Sequence, residues 1–286
     1  MSLRINMIVD SHTHILPGEF RTDRERILSR DATFKALFSS EKAQTASADD
    51  LLTEMTRCGV DVSVVAGYGW TDPATAQLSN NYLLHSAKAN PGKLIPLCSA
   101  NPVWGKAAIT EIERCAAEGA RGIGELHPDT QNFLNLDFGS LAPFFDAARS
   151  LGLPVLMHTS EPVGHSYPGK GTVTPEYSLA LAKAFPANTF VFAHFGGGLP
   201  FYALMPEVRR ELANAYFDSA ASPFLYRPEV FSAAGVTAGY DRILFASDFP
   251  LIGQRRSLNE LGSASIAENN RRQILATNAE KLWKIS

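Results

Sequence analysis

The chain has 286 residues, of which 45% are hydrophobic and 19% are charged. This apolar fraction is large enough to build a sizeable core, so the composition excludes an intrinsically disordered protein. The 26 basic and 29 acidic residues give a net charge of −3, which excludes the strongly basic surface of a nucleic-acid-binding protein. The length allows one large domain or two small ones, because α/β barrels can reach about 250 residues as a single domain.

The cysteines and the chain start favour an intracellular protein. Cys58, Cys98 and Cys115 are too few for a disulfide framework, and no C-x-x-C motif occurs, so we expect reduced thiols. The first ten residues lack a small-residue cleavage site, so we expect no signal peptide. No apolar stretch reaches about 18 residues, so we expect no transmembrane helix. These features together predict a cytoplasmic enzyme or binding protein.

Eight short apolar runs recur along the chain, and they alternate with turn residues and helical patterns. The runs are Ile5–Val9, Val62–Ala66, Leu94–Ser99, Ala120–Gly124, Pro154–Met157, Thr189–Ala193, Ala215–Phe217 and Arg242–Ala246. Continuous apolar runs of this length are typical of parallel strands that are buried on both faces.

Helical patterns lie between these runs, and several of them end at a glycine or a proline. They are Ala48–Cys58, Thr75–Ala89, Ala107–Ala117, Leu141–Ser150, Tyr177–Ala184, Asn269–Leu275 and Ala279–Trp283. The repeated β-then-α order favours a closed (β/α)₈ TIM barrel, with an open doubly wound sheet as the alternative. Since no linker or composition shift divides the chain, we predict a single domain over residues 1–286.

Two connections are long, and both follow the carboxyl end of a predicted strand. The first runs from Ile15 to about Ala46 after strand one, and the second runs from Ser160 to Pro175 after strand five. The carboxyl ends of barrel strands form the face on which active sites lie. Long loops in compact domains are usually functional or disordered, so we expect these two loops to shape a site.

Polar side chains of the types that bind metals follow five of the eight apolar runs. They are His12, His14, Glu125, His158, His194 and Asp248. His12 and His14 are two residues apart, so in an extended strand both imidazoles point to one side and can reach one metal ion. Each residue alone has an ordinary structural explanation, such as an interior histidine or a helix cap. Five strand ends of this kind together predict a shared site at the mouth of a barrel.

Four segments give the sequence a resemblance to the amidohydrolase superfamily, and more closely to its amidohydrolase-related branch. That branch includes aminocarboxymuconate-semialdehyde decarboxylase and several metal-dependent hydrolases. The segments are Asp10–His14, Leu156–Thr159, Ala193–Gly197 and Ala246–Pro250. The resemblance implies a (β/α)₈ barrel with one or two divalent metal ions, usually zinc, at its mouth.

The resemblance also implies roles for the six polar residues. His12, His14 and Asp248 match the ligands of a first metal ion. His158 matches either a further ligand of that ion or, together with His194, a ligand of a second. Glu125 stands where some members have a metal-bridging carboxylate, which favours two ions. In members with a single ion the strand-six histidine acts in proton transfer instead.

From this arrangement we expect a metal-dependent hydrolase that cleaves an amide, lactone or ester bond of a small carboxylated molecule. A divalent ion makes hydroxide available near neutral pH, and Asp248 can pass a proton from the bound water to the leaving group. We expect His194 to be a second catalytic group. The predicted substrate-binding residues are His127, Tyr167, Lys170 and Arg255.

Two other readings stay open. One is a decarboxylase of the aminocarboxymuconate-semialdehyde type, with a single metal ion and His194 as its acid and base. The other is a barrel that keeps its metal for structure or sensing and performs no reaction. In each case the partner is a small molecule rather than nucleic acid or membrane, and a homodimer is possible because many such barrels pair through apolar helix faces.

Overall fold

Eight parallel strands form one sheet in sequential order in this computed structural model, which describes residues 7–40, 42–167 and 169–285. The strands are β1 (Val9–His14), β2 (Val62–Ala66), β3 (Leu94–Cys98), β4 (Gly122–Leu126), β5 (Val155–Met157), β6 (Phe190–Phe192), β7 (Ala215–Asp218) and β8 (Ile243–Leu244). Backbone bonds from Ser11 N to Phe245 O (2.8 Å) and from Asp248 N to His12 O (3.0 Å) join the last segment to the first. This closure confirms the (β/α)₈ barrel over the open sheet.

Helices connect the strands and surround the barrel. The α-helices are α1 (Glu19–Thr22), α2 (Arg24–Arg30), α3 (Ala32–Phe38), α4 (Ala48–Cys58), α5 (Pro73–Ala89), α6 (Lys106–Ala117), α7 (Phe138–Ser150), α8 (Pro175–Ala184), α9 (Ala193–Gly196), α10 (Pro206–Glu211), α11 (Ser222–Leu225), α12 (Glu229–Ala234), α13 (Gln254–Ser263), α14 (Glu268–Arg272) and α15 (Asn278–Trp283). Short 3₁₀ helices cover Pro102–Trp104, Leu199–Leu204 and Tyr240–Arg242, and π-helical turns cover Gly235–Gly239 and Gln273–Thr277. Over the described ranges, no helix is long and apolar enough to cross a membrane.

The first strand lies further along the chain than the sequence predicts. The predicted run Ile5–Val9 starts outside the described residues, whereas β1 continues from Val9 to His14 and is buried throughout. Every residue of this strand after Val9 is polar, so an apolar criterion ends it too early. For the same reason Glu125 lies within β4 rather than after it. The predicted strand β2 and helix α4 match the structure residue for residue.

The two long connections differ in structure. The first contains the short helices α1 to α3, which pack around an aromatic cluster where the Phe20 ring lies 5.4 Å from Phe34 and 5.1 Å from Trp70. None of the helical patterns found in the sequence falls in this connection, and its phenylalanines give it a small core of its own. The second connection, from Ser160 to α8, has no helix or strand in its described residues.

Apolar side chains fill the barrel below the mouth. Those that point into this interior core include Val9, Val62, Val64, Leu97, Leu156, Val191 and Leu244, and all of them are buried. Trp283 of α15 joins this core and lies so close to Gly122 that a Cβ there would come within 2.9 Å of its ring. The packed interior therefore restricts the polar groups to one end of the barrel.

Candidate metal centre

The structure brings all six predicted metal ligands together at the carboxyl ends of the strands. His12 and His14 close β1, Glu125 lies in β4, and the other three follow β5, β6 and β8. Each of the six is buried, with at most 7% of its surface exposed. Burial of so many ionisable groups is costly unless they are paired or bind metal ions.

One group of donors is spaced like the ligands of a single cation. His12 Nε2 lies 3.0 Å from His14 Nε2, and His14 Nε2 lies 3.2 Å from Asp248 Oδ1. Both Nε2 atoms lie 3.8 Å from Glu125 Oε2. Two ligand atoms about 2.1 Å from one ion are about 3.0–3.8 Å apart when they subtend about 90–130° at it. The four side chains therefore fit one ion, and we call them the first cation site.

The hydrogen bonds made by the Nδ1 atoms of His12 and His14 determine the tautomer of each ring. His12 Nδ1–H donates to Asp218 Oδ2 at 2.9 Å, and His14 Nδ1–H donates to the Gly67 carbonyl at 3.2 Å. In the neutral rings both Nε2 atoms then carry lone pairs, which face each other at 3.0 Å. Such a contact is favourable only when a proton or a metal ion lies between the two nitrogens. The donor chemistry thus fits a divalent metal ion.

A second group lies on the other side of Glu125. Its Oε2 is 2.9 Å from His127 Nε2, and its Oε1 is 3.0 Å from His158 Nδ1. The His127 and His158 rings stack with their centroids 4.5 Å apart. His127 therefore contacts the carboxylate of Glu125, although the sequence suggested that it binds substrate. Among the described residues, the compact donor groups are His12–His14–Glu125 and Glu125–His127–His158.

His194 lies in a left-handed turn after β6, with φ of 57°. Its backbone N–H donates to Asp218 Oδ1 at 3.0 Å, and its Nδ1–H donates to the Ala220 carbonyl at 2.9 Å. The remaining Nε2 lone pair points toward the centre, 3.7 Å from Glu125 Oε1. A non-glycine residue with positive φ is uncommon, so these contacts must hold the turn in place. Neither His194 nor Asp248 is in either of the two compact donor groups.

Two carboxylates of the centre are held in their ionised form. Burial raises the pKa of Glu125, but His127, His12 and His158 outweigh it and bring that pKa well below its usual value. The pKa of Asp248 falls to about 2, because its bond to His14 and the charges of nearby histidines outweigh burial. Both carboxylates are therefore ionised at neutral pH, and they attract cations into the site.

The sequence missed two carboxylates that support the centre. Asp218 ends β7 and contacts both His12 and His194. It follows the predicted run Ala215–Phe217 directly, so the positional rule that selected the other ligands could have found it. Asp10 accepts bonds from Ser247 N at 2.9 Å and from Ser247 Oγ at 2.6 Å, which fixes the residue before Asp248.

The aromatic ring of Tyr68 forms one wall of the centre. The Tyr68 ring stacks on His14 with centroids 3.9 Å apart and interplanar angle 12°. It lies in the Gly67–Trp70 turn after β2, and its ring is also 6.1 Å from that of His127. Its aromatic face therefore restricts the orientation of a strand-one ligand.

The remaining predicted substrate-binding residues have other partners. Lys170 Nζ lies 3.2 Å from Glu161 and donates to the Val163 carbonyl at 2.9 Å. Tyr167 OH donates to Glu161 at 3.1 Å. Arg255 is exposed and donates to the Arg57 carbonyl at 2.7 Å, at the end of α4 and not at the centre. The Lys170 carbonyl reaches the site, where it accepts a bond from His158 Nε2 at 3.2 Å.

Curated relatives of this chain are decarboxylases. It is 28% identical over 238 residues to 2-amino-3-carboxymuconate-6-semialdehyde decarboxylase of Dictyostelium discoideum. The aligned region covers 68% of this chain and 64% of that protein. It is 23% identical over 253 residues to gamma-resorcylate decarboxylase of Polaromonas sp. strain JS666, with 74% and 77% covered. The chain thus spans less than two thirds of the first of these relatives. The expectation of a hydrolase is wrong, because these relatives cleave carbon–carbon bonds.

Solved structures with the same fold cover nearly the whole chain. The 5-carboxyvanillate decarboxylase of Sphingomonas paucimobilis superposes with a TM-score of 0.78 at 16% identity and covers 98% of this chain and 99% of its own. A dihydroxybenzoic acid decarboxylase of Polaromonas sp. JS666, solved with bound manganese and 2-nitroresorcinol, gives 0.70 at 20% identity, with 98% and 97% covered. At such identities these likenesses establish the fold alone.

The sequence profile of the amidohydrolase family matches residues 9–285. This range includes every strand of the barrel and all the donors of the metal centre. The chain is therefore a member of the amidohydrolase family and an enzyme of that superfamily.

Proposed function

We propose that the protein is a metal-dependent decarboxylase of a small, unsaturated carboxylic acid, with carboxylated aromatic acids as the first class to test. The observation that carries the proposal is the position of His194. Its Nε2 lone pair faces the centre, 3.7 Å from Glu125, while the Ala220 carbonyl holds its Nδ1–H at 2.9 Å. A site for decarboxylation needs a cation and a separate proton carrier, and this chain offers both. The curated relatives, all decarboxylases, support the same reaction.

The first cation site would hold the divalent ion. His12, His14, Asp248 and Glu125 supply two imidazole nitrogens and two carboxylates, a donor set that suits zinc or manganese. When bound, the ion supplies positive charge that attracts substrate oxygens and stabilises negative charge that develops on them. Zinc stays a prediction, since one structural neighbour contains manganese.

His194 is the proposed proton carrier. Its Nε2 first takes up a proton from water and then delivers it to the carbon that bears the carboxylate, where π electrons of the substrate form the new C–H bond. The C–C bond to the carboxylate then breaks, its electron pair restores the π system, and CO₂ leaves. His194 is left neutral and takes its next proton from water. The donation from Nδ1 to the Ala220 carbonyl keeps Nε2 pointed at the reacting carbon.

Asp248 has a different part in this proposal. Its pKa of about 2 keeps the carboxylate ionised, so it holds the metal ion and carries no proton at neutral pH. Asp218 orients both the ring of His12 and the backbone of His194, and it therefore acts as a positioning residue.

The test is release of CO₂ by the metal-loaded protein. We would supply 2,6-dihydroxybenzoate, 5-carboxyvanillate and 2-amino-3-carboxymuconate-6-semialdehyde, the acids named for the relatives. At least one should give CO₂ and, in D₂O, a product with one deuterium at the carbon that carried the carboxylate. A chelator should abolish the activity. Failure of all three acids with metal-replete protein would contradict the proposal.

A further inference from the structure

We infer that Tyr68 binds the substrate: its hydroxyl donates a hydrogen bond to an oxygen that the acid places against the first cation site. The inference rests on the proposed function, because it names a residue that touches the substrate of that reaction. Its test measures the binding of a ligand that has no carboxylate, so the result does not depend on whether CO₂ is released.

The turn that carries Tyr68 is fixed to β1 and to the end of β4. The Gly67 carbonyl accepts the bond from His14 Nδ1 at 3.2 Å. Gly69 packs so closely on the next segment that a Cβ there would lie 2.5 Å from His127 N. A side chain at Gly69 would therefore push the turn away from the centre. The backbone on both sides of Tyr68 is thus held beside residues of the centre.

Three neighbouring rings fix the orientation of the Tyr68 side chain. Its face stacks on His14, and its ring meets those of Phe38 and Trp70 nearly at right angles, with centroids 5.4 and 5.5 Å away. Phe38 and Trp70 are both buried. The hydroxyl is therefore in position before a ligand arrives, and binding does not have to order this side chain.

The Tyr68 hydroxyl has no hydrogen-bond partner within the part of the chain that the structure describes. The hydroxyls of Tyr177 and Tyr226 also lack one, but protein encloses them, whereas the Tyr68 hydroxyl is not enclosed. A phenol has a pKa of about 10, so it keeps its proton at neutral pH. A partly buried phenol usually finds an acceptor for that proton. The hydroxyl is thus an accessible donor whose acceptor comes from outside the chain.

This donor lies beside the first cation site. Tyr68 stacks on His14, whose Nε2 lies 3.2 Å from Asp248 Oδ1. The carboxylates of Asp248 and Glu125 both act electrostatically on the phenol, although neither forms a hydrogen bond with it. A negatively charged oxygen that is attracted to the ion would come within reach of the phenol and accept its hydrogen bond.

Tyr68 and His194 lie on opposite sides of the mouth. Tyr68 follows β2 and His194 follows β6, and these strands are four positions apart in the closed sheet of eight. A small acid between the two can present an oxygen to Tyr68 and its reacting carbon to the proposed proton carrier. The ligand class is therefore an unsaturated acid with a carboxylate or phenolate oxygen on the strand-two side.

The experiment measures the binding of 2-nitroresorcinol to the Mn²⁺-loaded protein by calorimetry. Tyr68→Phe keeps the ring on His14 and removes the hydroxyl. Its affinity for the probe should fall by about 10–100-fold, the effect of losing a hydrogen bond to a charged acceptor. The Kd for Mn²⁺ and the melting temperature should stay as in the wild type. Tyr202→Phe changes an exposed tyrosine of the 3₁₀ helix Leu199–Leu204, and this control should bind the probe as the wild type does.

Three results would overturn the inference. The first is a Kd for the probe in Tyr68→Phe within twofold of wild type, which would mean that the hydroxyl binds water alone. The second is weaker probe binding accompanied by a lower Mn²⁺ affinity or melting temperature, which would show a structural role. The third is a wild-type protein that does not bind the probe. If Tyr68→Phe weakened probe binding but the wild type released no CO₂, the proposed function alone would fail.

Discussion

His12 and Asp218 meet across the barrel: the Nδ1–H of the histidine donates to the carboxylate at 2.9 Å, although 206 positions separate them in sequence. The same carboxylate accepts bonds from the backbone N–H groups of His194 and Ala220, both at 3.0 Å. One buried side chain on β7 thus orients a proposed metal ligand on β1 and the proposed proton carrier after β6. This relationship leads to the first prediction.

Replacing Asp218 with asparagine should weaken metal binding. The amide keeps the shape of the side chain but removes the charge that supports His12, and loss of such a partner typically costs about 10–100-fold in metal affinity. The measurement is the Kd for Mn²⁺ by calorimetry. Asp146→Asn, at an exposed position on α7, is the matched control and should bind as wild type does. A Kd for Asp218→Asn within twofold of wild type would rule out the positioning role.

His194→Asn should separate catalysis from metal binding. The variant loses the proton carrier but keeps the donors of both groups, so kcat for CO₂ release should fall by about 10²–10⁴-fold. Metal content and KM should change little, because in the proposal His194 carries the proton and holds no metal ion. Both are measured on the same metal-loaded preparation. A variant that loses a metal ion would show instead that His194 is a ligand.

Glu260 on α13 should make stability depend on pH. Burial raises its pKa from 4.5 to about 7, and Ser222 and Arg256 oppose this only in part. Between these values the unfolded chain loses its proton while the folded chain keeps it, so the free energy of unfolding falls as pH rises, and it levels off above pH 7. Below pH 4.5 both states are protonated and the effect vanishes.

Glu260→Gln should therefore gain stability over wild type at pH 8, by about 1–3 kcal/mol, and much less at pH 5. Urea unfolding at the two pH values measures the difference. Glu207→Gln, at an exposed position on α10, should show no such dependence. An equal change in the free energy of unfolding at both pH values would refute the assignment.

Gly197→Ala should destabilise the fold and disturb the site. Gly197 has φ of 62°, and a Cβ there would lie 2.3 Å from the Ser160 carbonyl in the loop that follows β5. Gly59 has φ of 77° but no atom within 4 Å of such a Cβ, so Gly59→Ala isolates the cost of the backbone conformation. We expect Gly59→Ala to cost about 1 kcal/mol and Gly197→Ala about 1–3 kcal/mol more, in chemical denaturation. Equal losses of stability in the two variants would mean that small shifts of the backbone relieve the close contact with Ser160.

The sequence predicted those features that depend on local pattern. Continuous apolar runs identified the parallel strands, and the spacing of His12 and His14 identified two donors on one side of a strand. Strand ends placed Glu125, His158, His194 and Asp248 at a common mouth, because the topology of a barrel brings all such ends together. Each of these inferences needs only short-range periodicity and the right-handed connection between successive parallel strands.

Features that depend on contacts between distant segments could not be read in this way. Asp218 gains its importance from His12, and the tautomer of His158 depends on the Lys170 carbonyl. Arg255 follows Asp248 in sequence, yet its guanidinium turns toward the end of α4. The predicted hydrolase reaction was wrong because imidazoles and carboxylates around a cation suit hydrolysis and decarboxylation equally, and the relatives favour decarboxylation.

The seam between β1 and the segment after β8 gives the metal ion a structural consequence. Strand β8 has only two residues, and the donors of the first cation site lie on both sides of this seam, His12 and His14 on one and Asp248 on the other. An ion bound there would link the first strand to the segment after the last one, and it would stabilise the closed barrel relative to an opened one. Chelation should therefore lower the melting temperature as well as the activity, so that the supply of metal also sets the stability of the fold.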